Sequence, residues 1–166
     1  MAATTRRNPI LAAATLAVVL AGGGWYATRP GPPPPPTGAV FAENGVAIRG
    51  YDPVAYFTDG RPVEGRPEFA ATFDGAAWRF ANAEHKAAFE ADPARFTPQY
   101  GGYCAWAVSA KNEAYPIDPQ AWKIVDGRLY LNYSQDVQKD WSQDVPGHIA
   151  RADKNWPGLE QKLAGG

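Results

Sequence analysis

The chain has one cysteine, one methionine and two histidines in 166 residues. A single thiol excludes an internal disulfide and any zinc site built from four cysteines. Ahead of residue 37 there is no acidic residue at all, and after it 17 acidic residues face 13 basic ones, for a net charge of -4. That balance excludes a nucleic-acid surface, which needs clustered Lys and Arg to neutralise phosphates. Long apolar runs are also missing. The best, residues 10–21, spans 12 positions, short of the ~20 that a membrane-spanning helix needs. Ser109 and Ser134 sit in no nucleophile-elbow pattern, and Gly101-Gly102 lacks the spacing of a phosphate loop.

What is abundant divides the chain into three parts. Arg6-Arg7 followed by the Ala-, Leu- and Val-rich stretch 10–21 has the layout of an export signal, and the first residues resemble a twin-arginine signal. We therefore expect residues 1–28 to be a signal peptide of the Tat-like or Sec kind. Cleavage releases the protein to the periplasm; an uncleaved segment would anchor it to the inner membrane. Residues 29–38 contain five consecutive prolines, which favour an extended polyproline II linker. Residues 39–166 hold most of the aromatic residues and form the folded domain.

Within that domain the turn chemistry is explicit. Residues 69–73 and 76–80 flank Asp74-Gly75, and residues 121–125 and 128–133 flank Asp126-Gly127. Asp-Gly tolerates the positive φ angles of a tight two-residue turn, so both read as β-hairpins. Val46-Ala47-Ile48 reads as a short strand closed by Gly50. Asp52-Pro53 opens a helical turn, since Asp caps free amides and Pro suits the first helical position. Asn82 caps a helix over 83–91, stopped by Asp92-Pro93. Ser134 caps a helix to Trp141, and a helix over 145–154 is broken by Asn155-Trp156-Pro157. The expected fold is α+β: one small antiparallel sheet built from the two hairpins, with short helices packed on it.

The string Tyr100-Gly101-Gly102-Tyr103-Cys104 carries the only thiol. A free cysteine between aromatics is often inert core. In an exported protein an odd cysteine must resist oxidation or use it. His85, four residues before Phe89 on the 83–91 helix, is the residue whose chemistry best complements it, because imidazole and thiolate together suit copper or zinc. His148, expected near the surface of a short helix, and Asp52 are candidate additional ligands. Asp52 also has a cap role.

Several strings resemble a known family. Asp52-Pro53-Val54, the strand end Trp78-Arg79-Phe80, the helix Ala83-Glu84-His85-Lys86-Ala87-Ala88-Phe89 and Asp92-Pro93-Ala94-Arg95-Phe96 follow the order of a YHS domain. Pro98-Gln99-Tyr100-Gly101-Gly102-Tyr103-Cys104-Ala105 and Ala152-Asp153-Lys154-Asn155-Trp156-Pro157 are similar to the exported bacterial YHS domain-containing (seleno)protein group. The resemblance implies heavy-metal handling. It also implies a departure: Ala55 and Ala81 stand at two usual cysteine positions, and His85 stands where other YHS domains carry a third. The expectation is thus an exported module that binds a transition metal through His85 and Cys104, without catalysis of its own. Copper is the foremost candidate, ahead of zinc or haem. A membrane-anchored redox or metal-handling protein is the expected partner. The alternatives are a periplasmic thiol-redox protein acting through Cys104, and a non-enzymatic scaffold in which the aromatics matter.

Overall fold

The structure, a computed structural model, describes residues 39–165. The expected signal or anchor and the Pro-rich linker lie outside the described residues. The domain is α+β, as its hairpins and caps imply, but its strands form two sheets. The first has four strands in the order β1-β2-β4-β3, with β1 Ala42–Glu43, β2 Val46–Ala47, β3 Arg66–Phe73 and β4 Ala76–Phe80. The second pairs β5 Asp118–Val125 with β6 Arg128–Asn132. The single sheet expected from the two hairpins is therefore split, one hairpin to each sheet. The first sheet is also not purely antiparallel, because β2 runs parallel to β4 at Val46 and Ala77.

Each hairpin turn has the backbone its sequence prescribes. Asp74 and Gly75 have φ of 48° and 76°, and Asp126 and Gly127 have 50° and 73°. Asn44-Gly45 makes a third such turn, at 52° and 78°, joining β1 to β2. The Asn-Gly pair is itself a turn signal of the same kind. It narrows the expected strand at Val46-Ala47-Ile48, since the chain turns into a short 3-10 segment at Ile48–Gly50.

The helices are α1 Ala55–Thr58, α2 Ala83–Ala91, α3 Pro93–Phe96, α4 Ala105–Lys111, α5 Gln135–Ser142 and α6 Val145–Ala164. The expected caps form: the Asn82 side chain accepts from the His85 amide at 2.8 Å and Ser134 from the Val137 amide at 3.2 Å. Such a cap stabilises a helix by ~1 kcal/mol. The helix α4 is additional to those expected, and α6 runs past its expected break. The residues after Cys104 form α4, and α6 runs unbroken through Pro157. Proline removes one helical hydrogen bond. Packing on either side offsets that loss: Trp156 lies against Tyr100 and Tyr103, and Leu159 is buried.

One continuous apolar core joins both sheets to the helices. Phe89 fixes α2 on the first sheet, with ring centroids 5.7, 5.4 and 5.1 Å from Phe73, Trp78 and Phe80. Burial of one such side chain is worth roughly 2–3 kcal/mol. On the other side, α6 packs along α4, and the Asn155 side chain donates to the Val108 carbonyl at 2.9 Å.

Candidate functional site

The Phe89 anchor also sets where His85 points, one helical turn earlier on the same face. Its Nδ1 lies 2.6 Å from Oδ2 of Asp52, a fully buried residue. Asp52 has four donors around its two oxygens. Oδ1 accepts from the Val54 amide at 2.8 Å and the Ala55 amide at 3.3 Å. Oδ2 accepts from the Ala81 amide at 2.8 Å and from His85. This is how a buried carboxylate is accommodated, since an unpaired one would be severely penalised. The cap expected of Asp52 is present, and its acceptor capacity goes to holding α1, the end of β4 and the imidazole. A carboxylate only accepts, so His85 Nδ1 carries the proton in this bond.

The consequence falls on the other ring nitrogen. His85 Nε2 lies 3.3 Å from Thr58 Oγ1 and 3.8 Å from Asp59 Oδ1. The His85 side chain is 13% exposed and that of Asp59 33%. The Thr58 hydroxyl also donates to Asp59 Oδ1 at 2.8 Å. In the neutral ring, Nε2 is the nitrogen that carries the lone pair, at a solvent-reached edge beside a hydroxyl and a carboxylate. Thr58 and Asp59 were not among the expected site residues. Asp59-Gly60 reads in sequence as a helix stop, and only the fold brings it to His85.

Cys104 occupies a different environment. It stands just ahead of α4 without capping it through its side chain, and its amide donates to the Tyr115 carbonyl at 3.0 Å. Its Sγ accepts from the Tyr133 amide at 3.2 Å and lies 3.8 Å from Asn132 Oδ1. The residue is fully buried. Burial raises the thiol pKa, and backbone hydrogen bonds from Ala107, Tyr133 and Trp106 offset this only in part. A neutral thiol donating to Asn132 fits that balance. The polar partners of Cys104 and those of His85 have no residue in common.

His148, expected near the surface, is buried in the first turn of α6. Its Nδ1 lies 2.6 Å from Ser109 Oγ, which itself lies 2.8 Å from the Trp106 carbonyl. The hydroxyl donates to that carbonyl, so the imidazole donates to the hydroxyl. Burial lowers the His148 pKa, the Arg151 charge adds to this, and Asp144 opposes it. The α4–α6 contact was not expected, which is why His148 read as exposed. Among the described residues, no three or more His, Cys, Asp or Glu side chains are grouped to hold a metal ion.

The glycine string organises a second region. Tyr100, Gly101 and Gly102 have φ of 57°, 60° and 84°, three left-handed residues in a row. At Gly101 this is enforced sterically, because a Cβ there would stand 1.9 Å from the Ala39 carbonyl oxygen. The Tyr100 hydroxyl donates to Asp153 Oδ1 at 2.9 Å. Burial, and then the Asp153 carboxylate, hold the Tyr100 phenol well above its ordinary pKa. Tyr100 and Trp156 line a cleft of about 420 Å³ that also includes Arg128, Asp74 and Glu160. The two strings around Tyr100 and Asp153, far apart in sequence, thus meet in one place. No protein-family profile, curated protein or solved structure matches the chain.

Proposed function

We propose that the chain is an exported module, similar to YHS domains in the order of its elements, that binds a transition-metal ion through His85 without catalysis of its own. The observation that carries this reading is the 2.6 Å contact between His85 Nδ1 and Asp52 Oδ2. A carboxylate on one imidazole nitrogen fixes the tautomer and ring orientation, the usual arrangement behind a metal-ligating histidine. Asp59 Oδ1, 3.8 Å from Nε2, would be the second ligand. Metal–nitrogen and metal–oxygen bonds of about 2.0–2.2 Å let one ion bridge two atoms at that separation. Imidazole and carboxylate suit divalent copper, then zinc.

Two protein ligands leave coordination positions for water or for a partner's side chain. Such a site suits uptake and handover to a metal-handling partner more than tight storage. The burial and raised pKa of Cys104 weigh against its joining His85 as a ligand, and equally against a thiol-redox role. Export rests on Arg6-Arg7 and the apolar stretch that follows. No helix among the described residues is long and apolar enough to cross a membrane.

Copper(II) titration of the wild type, His85→Ala and Cys104→Ala tests the reading. Wild type and Cys104→Ala should take up the same amount of metal, and His85→Ala should take up none. A full copper load on His85→Ala overturns it.

A further inference from the structure

We infer that the cleft between Tyr100 and Trp156 binds a small zwitterion, a free amino acid or short peptide, with Arg128 receiving its carboxylate and Asp153 and Glu160 its ammonium group. The inference concerns a different region from His85 and does not rest on the metal reading. The cleft volume of about 420 Å³ is the size of a small-molecule site.

Its charges are mixed and left unsatisfied by one another. Arg128 lines the cleft together with Asp74, Asp153 and Glu160. Among the described residues, none of these four takes part in an ion pair. Arg128 and Asp153 are nevertheless neighbours, since both act on the same two phenols. The guanidinium favours ionisation of Tyr100 and Tyr130, and the carboxylate opposes it. The fold thus holds a fixed cation and a fixed anion around two hydroxyls without closing them on each other. Asp153 already accepts from the Tyr100 hydroxyl and Arg128 bonds to Tyr130; a ligand carrying both charges adds an opposite charge to each group, and one carrying a single charge adds it to only one.

The remaining walls suit the rest of such a ligand. Trp156 is only partly buried and offers its ring to an apolar side chain. The Tyr100 backbone supplies a further indication. A tyrosine held at φ 57° is strained, and strain of this kind collects where a ligand or clamp must be positioned. Here the strained residue places its hydroxyl on Asp153 and its ring against Trp156, with centroids 5.9 Å apart.

The test is calorimetric titration with L-leucine and glycyl-L-leucine, using leucinamide and 4-methylpentanoate as controls that each keep one charge. At least one zwitterion should bind about tenfold or more tightly than either control, because each control gives up one of the two charge-assisted contacts. Arg128→Gln and Glu160→Gln, both at exposed positions, should each weaken that zwitterion by about fivefold or more and leave copper uptake unchanged. The inference is overturned if neither zwitterion binds at millimolar concentration, if a single-charge control binds equally well, or if both variants bind like wild type. Loss of copper uptake by His85→Ala with zwitterion binding intact would show the two sites to be separate.

Discussion

The Asp52 carboxylate and the His85 imidazole, 33 residues apart in the chain, meet at 2.6 Å through atoms Oδ2 and Nδ1. Oδ2 also receives the Ala81 amide, and Oδ1 receives two amides at the start of α1. One buried side chain therefore both closes the fold around α1 and aims the ring nitrogen that faces solvent.

Asp52→Asn keeps the shape but replaces one acceptor oxygen with a donor in a place already crowded with donors. Copper(II) affinity should fall by about 10- to 100-fold, as expected when the group behind a ligating histidine is lost. Unfolding stability should fall by ~2 kcal/mol because a buried donor is left without a partner. Copper titration and urea unfolding on the same preparation check both. Stability lost with affinity unchanged would show that Asp52 does not orient the ligand.

Native Cys104 should alkylate far more slowly at pH 7.5 than in the denatured chain, since burial favours the protonated thiol. The same shift has a stability consequence. The folded pKa lies above the unfolded value of ~8.5, so the stabilisation is complete below that pH and is lost as pH rises through the folded value. Stability should decline on the alkaline side, and Cys104→Ala should decline less. Iodoacetamide labelling as fast in the native protein as in the unfolded one would refute the assignment.

Gly101→Ala and Gly75→Ala separate strain from collision. Both positions have positive φ, 60° and 76°, but a Cβ at residue 75 meets nothing within 4 Å while one at residue 101 meets the Ala39 oxygen at 1.9 Å. Gly75→Ala should cost ~1 kcal/mol from backbone conformation alone. Gly101→Ala should cost about 3 kcal/mol or more, because overpacking adds to it. Equal midpoints in denaturant would contradict the close approach.

His148 should make the protein acid-sensitive. Its folded pKa is lowered, so the neutral ring contributes stability above the unfolded value of ~6.5, and that contribution is lost as pH falls below it. Thermal midpoints measured from pH 7 to 5 should drop less for His148→Gln than for wild type. Parallel curves would place the acid sensitivity elsewhere.

Local chemistry was legible in the sequence; long-range pairing was not. Asn82 and Ser134 act as caps, and Asp74-Gly75 and Asp126-Gly127 turn as written, because each depends on a few adjacent residues. Nothing local states that the second hairpin stands apart from the first, or that β2 aligns with β4. Pro157 reads as a break because the backbone penalty is local, whereas the packing of Trp156 and Leu159 that outweighs it is tertiary. His85 and Cys104 stand out in sequence by their chemistry alone. Their separate surroundings follow from where α2 and α4 pack, and so do the contacts of Asp59 with His85 and of Ser109 with His148.

The turn at Tyr100–Gly102 also holds residues 39–41 in place. Ala39, the first described residue, is pressed against Gly101, and two residues later the Phe41 amide bonds to the Gly101 carbonyl at 2.9 Å. The Phe41 ring is fully buried, 5.7 Å from that of Tyr103. A pull along the chain from its N-terminal side would thus meet a clasp in which backbone bond, ring contact and steric fit must yield together. A single methyl group added at Gly101 would loosen all three at once.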